Sequence, residues 1–280
     1  MSAPDFVAVG HVTLDYFGDV VRAGGAALYA AVTADRLGVS AAILTSHAPD
    51  FPLDDVPSRI EVVTLEGAQT TAFEHRAAAG GRALRVRGAA RPLTVADLPQ
   101  DWRGAPLVLL APVLQEVDPA LASAFPDAAI GAEAQGWLRA VDREGAVSPG
   151  PWPSPNLVLD RLQAVFVSAH DVRGQEARVT EWVQRVPLAV VTAGVEGALL
   201  YVNGDRYEIR PRRTREVDAT GAGDVFAAAF LIHYDRHGDP WEAAEAATCA
   251  ASLSIEGEGW SAVPDSATLA ATLEAYRARR

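Results

Sequence analysis

The sequence contains no lysine and only one cysteine, although its 280 residues include 24 basic side chains. Every basic residue is therefore an arginine. The absence of lysine excludes a P-loop, in which a lysine reaches the transferred phosphates, and it excludes lysine Schiff-base chemistry. The single Cys249 rules out an intrachain disulfide and a cysteine zinc cluster.

Long apolar runs and excess positive charge are also missing. No apolar stretch approaches 18 residues, so we expect no membrane span. Residues 1–5 lead directly into a short strand-like run, so we expect no signal peptide. The formal net charge of −12 argues against a broad nucleic-acid surface, and an anionic substrate would need a local positive site. These features together predict a cytoplasmic protein with neither membrane nor nucleic acid as partner.

The remaining pattern predicts an α/β fold. Hydrophobic residues make up 49% of the chain, and they form short buried-strand runs separated by helical segments. Phe6–Val9, a helix over residues 26–37 and a strand over 41–44 give a strand–helix–strand order. That order implies a parallel sheet with right-handed crossovers. Further strand-like runs are residues 107–111, 128–131, Ala164–Ser168, Leu188–Thr192 and Ala198–Val202.

Two regions depart from the crossover pattern. Three short extended runs between residues 60 and 86 have no helices between them, which predicts an antiparallel insertion around residues 60–90. Residues 207–209 should pair with Ala198–Val202 as a hairpin across Asn203 and Gly204. Because the α/β pattern continues on both sides of a proline-rich surface loop at 148–155, we expect one domain over residues 1–280.

The most informative stretch is a glycine turn that precedes a strongly apolar helix near residues 225–232. Gly221 and Gly223 lack Cβ atoms, so the backbone there can lie against a ligand. The free N–H groups of the first helical turn and the positive helix end make an anion site. Asp224 would lie beside that anion, where a carboxylate could accept a proton from a hydroxyl that is being phosphorylated. The alternative is a tight turn whose acid only complements the helix dipole.

The motifs together resemble the ribokinase-like (PfkB) carbohydrate kinase family along nearly the whole chain. Residues 218–224, Asp-Ala-Thr-Gly-Ala-Gly-Asp, are close to that family's carboxyl-terminal signature. Supporting matches, in the expected order, are Gly10 with Asp15, Gly24-Gly25, and Thr192-x-Gly194-x-x-Gly197. The resemblance implies a three-layer αβα core with a mainly parallel sheet, a small β lid over the site, and transfer of the ATP γ-phosphoryl group to an alcohol.

The resemblance also implies individual roles. Asp224 matches the catalytic base, and the amides of Gly221, Ala222 and Gly223 match the anion hole. The positions that match sites for substrate hydroxyls are Asp15, Gly24 and Gly25. The positions that match the nucleotide site are Thr192 and Gly194 near the phosphates and Thr248 near the adenine. ATP and Mg²⁺ are the implied cofactors. Separately, a lid built from exposed strands could pair with its copy across a two-fold axis, so a homodimer through the lid is a further expectation.

Several positions depart from the family pattern. Tyr29 replaces an asparagine often found there, which argues against ribose and favours an inositol, a modified sugar or a nucleoside. The family's Asn-x-x-Glu motif reads Ser-Ala-His-Asp at residues 168–171, where Asp171 can still accept a magnesium-bound water. Residues 135–139, Gln-Gly-Trp-Leu-Arg, resemble a segment of sugar- and inositol-kinase-like branches and give a hint about the substrate.

Charged residues elsewhere are harder to assign from sequence. Arg22, Arg82 and Arg139 could supply positive charge, but we interpret each as a solvated or structural arginine. Glu116 is expected to face solvent, and Glu133 could face either solvent or the crevice.

The sequence leaves three function classes to weigh. The first is an ATP- and magnesium-dependent kinase of a sugar, inositol or related polyol, with a nucleoside as an alternative acceptor. The second is a catalytically weak family member that binds or senses a ligand, for which Tyr29 and the altered residues 168–171 are the motive. A nicotinamide oxidoreductase is the third, and it is disfavoured because no strand is followed by Gly-x-Gly-x-x-Gly at a helix start.

Overall fold

A computed structural model describes residues 3–78 and 81–279 of the chain. Its strands in chain order are β1 (Phe6–Val9), β2 (Thr13–Phe17), β3 (Val20–Gly24), β4 (Ala41–His47), β5 (Glu61–Glu66), β6 (Thr71–Ala78), β7 (Gly81–Gly88), β8 (Leu107–Leu110), β9 (Ala129–Glu133), β10 (Arg139–Val141), β11 (Val147–Pro149), β12 (Ala164–Ser168), β13 (Leu188–Thr192), β14 (Ala198–Val202) and β15 (Asp205–Ile209). The α-helices are α1 (Ala26–Arg36), α2 (Asn156–Leu159), α3 (Glu176–Val183), α4 (Ala222–His237), α5 (Pro240–Ser254) and α6 (Ser266–Arg277).

A nine-stranded sheet forms the centre, in the order β15-β14-β13-β12-β9-β8-β1-β4-β5. From β13 to β5 all neighbours are parallel. The strands β14 and β15 add an antiparallel edge, which confirms the predicted hairpin across Asn203 and Gly204. The mainly parallel α/β fold predicted from the sequence is therefore confirmed.

Helices cover both faces of this sheet because successive strand residues point to opposite sides. On β1, Phe6 and Ala8 enter one core with α1, α4, α5 and α6. Val7 and Val9 enter the other core, whose helical residues come from α2, α3 and several 3₁₀ turns. Burial on both faces explains why the parallel strands are continuous apolar runs in the sequence. Among the described helices, none has the combination of length and apolar character needed to cross a membrane.

A second sheet of four strands lies in the order β3-β2-β6-β7, and we call it the small sheet. Its strands β2 and β3 come from the segment between β1 and α1, and β6 and β7 come from later in the chain. Asp15, which the sequence predicted as a substrate contact, therefore lies on a strand of the small sheet, β2.

The prediction that all three runs from 60 to 86 form an antiparallel insertion is wrong for the first run. That run is β5, and it pairs in parallel with β4 at the edge of the main sheet. The connection between β4 and β5 contains a 3₁₀ turn (Leu53–Asp55) and no α-helix. A parallel connection needs about a dozen residues but not a helix, so the missing helical pattern was misleading.

A two-stranded hairpin of β10 and β11 was not predicted. It includes the start of the proline-rich stretch that the sequence indicated as an irregular surface loop. Trp152 in the same stretch is 4% exposed and stacks on Trp137 with ring centroids 5.0 Å apart. Val86 donates its N–H to the carbonyl of Gly145 at 2.8 Å, which fastens the hairpin turn to β7 of the small sheet.

Candidate active site

The glycine turn precedes α4 as the sequence predicted. Gly221 is the N-cap of α4 and has φ = 80°, a conformation that favours glycine. A Cβ on Gly221 would lie 2.2 Å from Cδ1 of Tyr29, so the phenol ring lies directly against the turn. Asp218 fixes the start of the turn by accepting bonds from the N–H of Thr220 at 3.0 Å and from its hydroxyl at 2.7 Å. The first-turn amides of α4 are thereby held at the edge of a cavity.

This cavity has a volume of about 500 Å³ and is lined by the small sheet, the β10–β11 hairpin, loops after the main-sheet strands and the starts of α1 and α4. Its size is within the range of small-molecule sites. It brings together most of the residues predicted for catalysis and substrate binding, namely Asp15, Gly25, Tyr29, Asp171, Gly221, Ala222, Gly223 and Asp224.

Four predicted residues are not part of the cavity lining. Gly24 packs directly against the side chain of Asp15: a Cβ at Gly24 would be 2.4 Å from Oδ2 of Asp15. Thr192 is the last residue of β13 and pairs with Ser168 at the end of β12, and Gly194 begins the 3₁₀ turn that follows β13. Thr248 is 9% exposed in α5, and its hydroxyl donates to the carbonyl of Ala244 at 2.8 Å. Their nucleotide-binding roles stay predictions.

Asp224 is in contact with a second acid, Glu133, at the end of β9. A hydrogen bond joins the two carboxyl groups. Burial raises the pKa of Asp224 to about 6; the nearby acids also raise it, whereas the Glu133 bond and Arg139 lower it. Burial, followed by the charge of Asp224, raises the pKa of Glu133 well above its ordinary value. Glu133 is therefore buried beside Asp224 and does not face solvent, a question that the sequence left undecided.

Arg139 lines this acidic cavity and also makes structural contacts, so of the two sequence interpretations the structural one holds and the solvated one does not. Its guanidinium donates to the carbonyl of Val113 at 2.7 Å and lies 5.3 Å from the ring centroid of Phe73. Burial lowers the pKa of Arg139, and the nearby carboxylates led by Asp171 and Asp224 raise it again. Since guanidinium stays protonated in proteins, Arg139 presents a fixed cation opposite the base.

Arg22, the second candidate cation, instead joins the small sheet to the glycine turn. Its guanidinium makes 3.0 Å contacts with Asp218 and with Glu258, and its side chain is 33% exposed. The side chain of Arg82 lies outside the described part of the chain.

The small sheet contributes residues that sequence reasoning missed. His75 on β6 lines the cavity, contacts Oδ1 of Asp15 through Nε2 at 3.2 Å, and stacks on Phe17 with ring centroids 4.3 Å apart. Thr13 donates its hydroxyl to the other oxygen of Asp15 at 3.2 Å. These contacts hold the Asp15 carboxylate in place at the small-sheet wall of the cavity. Strand alternation from Phe73 to His75 was a usable signal, because both face the same side of β6.

Among the predicted site residues, Asp171 has the side chain best suited to bind a magnesium ion or one of its waters. It lines the cavity, and its Oδ2 atom is buried without a hydrogen-bond partner. A carboxylate oxygen is the ligand type that Mg²⁺ or its bound waters prefer. Burial raises the pKa of Asp171, while Arg139 lowers it. Within the described residues, no cluster of three or more metal-ligating side chains occurs, so a magnesium ion here would keep most of its waters.

The prediction that Glu116 faces solvent is wrong. It is 4% exposed, and its carboxylate accepts N–H groups from His11 at 3.0 Å, Val113 at 2.9 Å and Leu114 at 2.6 Å. These bonds tie the loop after β8 to the loop after β1. Glu116 is therefore a structural acid.

The comparisons with known proteins agree with this geometry. A family model described as "pfkB family carbohydrate kinase" matches residues 162–266. A cytidine kinase of Thermococcus kodakarensis is 26% identical over 267 residues, covering 85% of this chain and 91% of that protein. An inositol 3-kinase of Zea mays is 35% identical over 101 residues, covering 35% of this chain and 26% of that protein.

Solved structures show the same fold. A pyrophosphate-dependent myo-inositol-1 kinase converted into a myo-inositol-3 kinase aligns with a TM-score of 0.80 and 21% identity, covering 97% of this chain and 99% of that one. A nucleoside kinase of Methanocaldococcus jannaschii, described as an archaeal member of the ribokinase family, aligns with a TM-score of 0.73 and 19% identity. That alignment covers 98% of this chain and 100% of the other.

Proposed function

Since the chain is a ribokinase-like PfkB kinase, and so a phosphotransferase that acts on a hydroxyl group, we propose that it phosphorylates a cyclic polyol or a nucleoside with Asp224 as the base. The observation that carries the proposal is one cavity in which Asp224, the first-turn amides of α4 and the guanidinium of Arg139 face the same space. A base, an anion site and a cation are the groups that phosphoryl transfer requires.

The acceptor is held on the small-sheet side of the cavity. Asp15, fixed by His75 and Thr13, accepts hydrogen bonds from acceptor hydroxyls, and the ring of Phe73 supplies an apolar face. In this role the small sheet is a lid. Tyr29 fills space beside Gly221 where a smaller side chain would leave room. This arrangement suits a ring-shaped molecule with several hydroxyl groups.

The transferred phosphoryl group lies against α4. The amides of Gly221, Ala222 and Gly223 donate to its oxygens at the positive end of the helix, and Arg139 balances the charge that develops. Asp224 accepts the proton of the attacking hydroxyl, which is the work of a general base. Magnesium neutralises donor phosphate charge when bound, and Asp171 would hold one of its waters.

ATP is the proposed donor, because kinases of the ribokinase family use it, with Thr192, Gly194 and Thr248 as its predicted contacts. Pyrophosphate is a second candidate donor. It is favoured by the similarity to a structure described as a pyrophosphate-dependent kinase. Since none of the three predicted nucleotide residues lines the cavity, an experiment on the donor must include both compounds.

The test is a phosphoryl-transfer screen over inositols, pentoses, hexoses and nucleosides, with ATP and with pyrophosphate in separate arms. We expect turnover with at least one inositol or nucleoside and its loss when magnesium is chelated. Thermal stabilisation by an acceptor with no product in either arm would contradict the proposal and favour the binding or regulatory alternative.

The predicted homodimer has support in the small sheet. Its edge strand β3 exposes Val20 and Val21, which are 52% and 47% exposed. An exposed apolar edge can pair with the same edge of a second copy. Light scattering should then give the mass of two chains, and Val21→Lys should shift the mass toward one chain.

A further inference from the structure

The middle of β9 packs closely against the second half of α4. A Cβ on Gly131 would lie 2.5 Å from Cδ1 of Leu231, so the strand approaches the helix more closely than a larger residue allows. This approach carries Glu133, the last residue of β9, to Asp224 in the first turn of α4. Glu133 is 6% exposed and lies outside the cavity lining, behind the base.

The surroundings of Glu133 contain little that could stabilise a negative charge on it. Its Oε2 atom has no hydrogen-bond partner. Burial and the neighbouring Asp224 are the influences on its pKa, and both raise it. Two carboxyl groups in contact cannot both ionise without a large cost, so such a pair keeps one proton.

The two acids differ in what else faces them. Asp224 faces Arg139 after the turn that follows β9, Asp15 on β2, Asp171 after β12, and Tyr29 on α1. Glu133 faces Asp224. Because the cation and the cavity are on the side of Asp224, the negative charge of the pair belongs on Asp224 and the proton on Glu133.

We propose that Glu133 is a positioning residue for the base: its protonated carboxyl group donates a hydrogen bond to Asp224 and directs the free oxygen of Asp224 toward the acceptor hydroxyl. This rests on the proposed function, in which Asp224 is the base. In the reaction the acceptor oxygen bonds to phosphorus, the bond from phosphorus to the donor's leaving oxygen breaks, and Asp224 takes the hydroxyl proton. Asp224 then releases that proton to solvent through the cavity, and Glu133 keeps its own.

The first test measures turnover against pH in two variants. Glu133→Gln keeps a neutral hydrogen-bond donor, so we expect its acid limb within about half a pH unit of the wild type and kcat within about tenfold. Glu133→Leu removes the donor that helps Asp224 to ionise. We expect its acid limb to move up by about one pH unit or more and kcat at neutral pH to fall about tenfold or more. The acceptor KM should change by less than about threefold, because Glu133 does not line the cavity.

Two kinetic outcomes would overturn the proposal. A Glu133→Gln acid limb that moves down by about one unit would mean that wild-type Glu133 is ionised and that its charge raises the pKa of Asp224. Wild-type kinetics in both variants would mean that Glu133 has no positioning role. Glu144→Gln, a change at an exposed glutamate in the turn between β10 and β11, is the matched control and should leave the pH profile unchanged.

The second test does not depend on turnover. Infrared difference spectroscopy of the full chain with ¹³C-labelled glutamate should show a protonated carboxyl band at neutral pH, and Glu133→Gln should lack it. Glu144→Gln should retain the band. Its absence from the wild type would overturn the proposal even if the kinase is active, whereas an inactive protein that shows the band would mean that the proposed function has failed.

Discussion

Two strand ends in the main sheet present a buried glutamate, and they use it in opposite ways. After β8, Glu116 is 4% exposed and its carboxylate is bonded to three backbone N–H groups. At the end of β9, Glu133 is 6% exposed, has one oxygen without a partner and contacts a second acid. Equal burial therefore says little about the role of an acid.

The difference lies in what surrounds each carboxyl group. Three backbone N–H groups satisfy the carboxylate of Glu116, which thereby holds two loops together. Glu133 meets apolar packing and another carboxyl group, which favour a protonated acid. The first acid contributes to the folded structure, and the second lies beside the proposed base. The following experiments test this difference between Glu116 and Glu133.

The largest effect is expected at the base that Glu133 contacts. Asp224→Asn should lower turnover by about 10²-fold or more, because the hydroxyl proton loses its acceptor. Binding of the donor should persist, since the α4 amides are unchanged. Steady-state kinetics and calorimetric titration of the donor measure the two quantities. Turnover equal to the wild type would exclude Asp224 as the base.

The next effect is on folding rather than chemistry. Glu116→Gln leaves at least one buried N–H group without a good acceptor, so the free energy of unfolding should fall by about 1–3 kcal/mol. Urea titration measures this loss, and the kcat of the folded fraction should stay within about threefold. The exposed control Glu144→Gln should stay within about 0.5 kcal/mol. A large kinetic defect in Glu116→Gln without loss of stability would reverse the roles assigned to the two glutamates.

The pH dependence of stability separates the acids further. Asp224 has a pKa of about 6 in the folded state, above its ordinary value, and the pKa of Glu133 is also raised. The folded protein therefore binds more protons than the unfolded chain, so stability falls as the pH rises. The contribution of Asp224 is lost as the pH rises through about 6, and that of Glu133 is lost as the pH rises through its raised folded-state pKa. Glu133→Gln removes one of the two contributions. Its melting temperature should decline less than that of the wild type between pH 5 and 8.

The smallest effect is expected at the partly exposed ion pair that joins the small sheet to the glycine turn. Arg22→Gln removes the 3.0 Å contacts to Asp218 and Glu258, and a pair of this exposure contributes about 0.2–1 kcal/mol. We expect a small drop in the melting temperature of the variant. High salt, which screens the ion pair, should lower the melting temperature of the wild type by a similar amount. A loss of several kcal/mol would show that Asp218, like Glu116, depends on its bonds for the fold.

Much of the fold could be predicted from local patterns. Continuous apolar runs identified the parallel strands, and the Asn203-Gly204 turn identified the β14–β15 hairpin. The edge strand β5 was misassigned because its pairing with β4 lies across a connection without an α-helix. The β10–β11 hairpin was missed because prolines near it suggested irregular structure, although Pro149 occupies only the end of an edge strand.

The glycine turn and its acid were determined by the sequence itself. The conformational freedom of Gly221, the apolar helix that follows and the position of Asp224 in its first turn are local properties, so an anion site with a base beside it could be inferred from a few adjacent residues. Only the tertiary structure decided which distant residues meet Asp224. Arg139 and Glu133 reach it because β9 packs tightly on α4 at Gly131, whereas Glu116, with the same residue type at a similar strand end, is enclosed by backbone N–H groups.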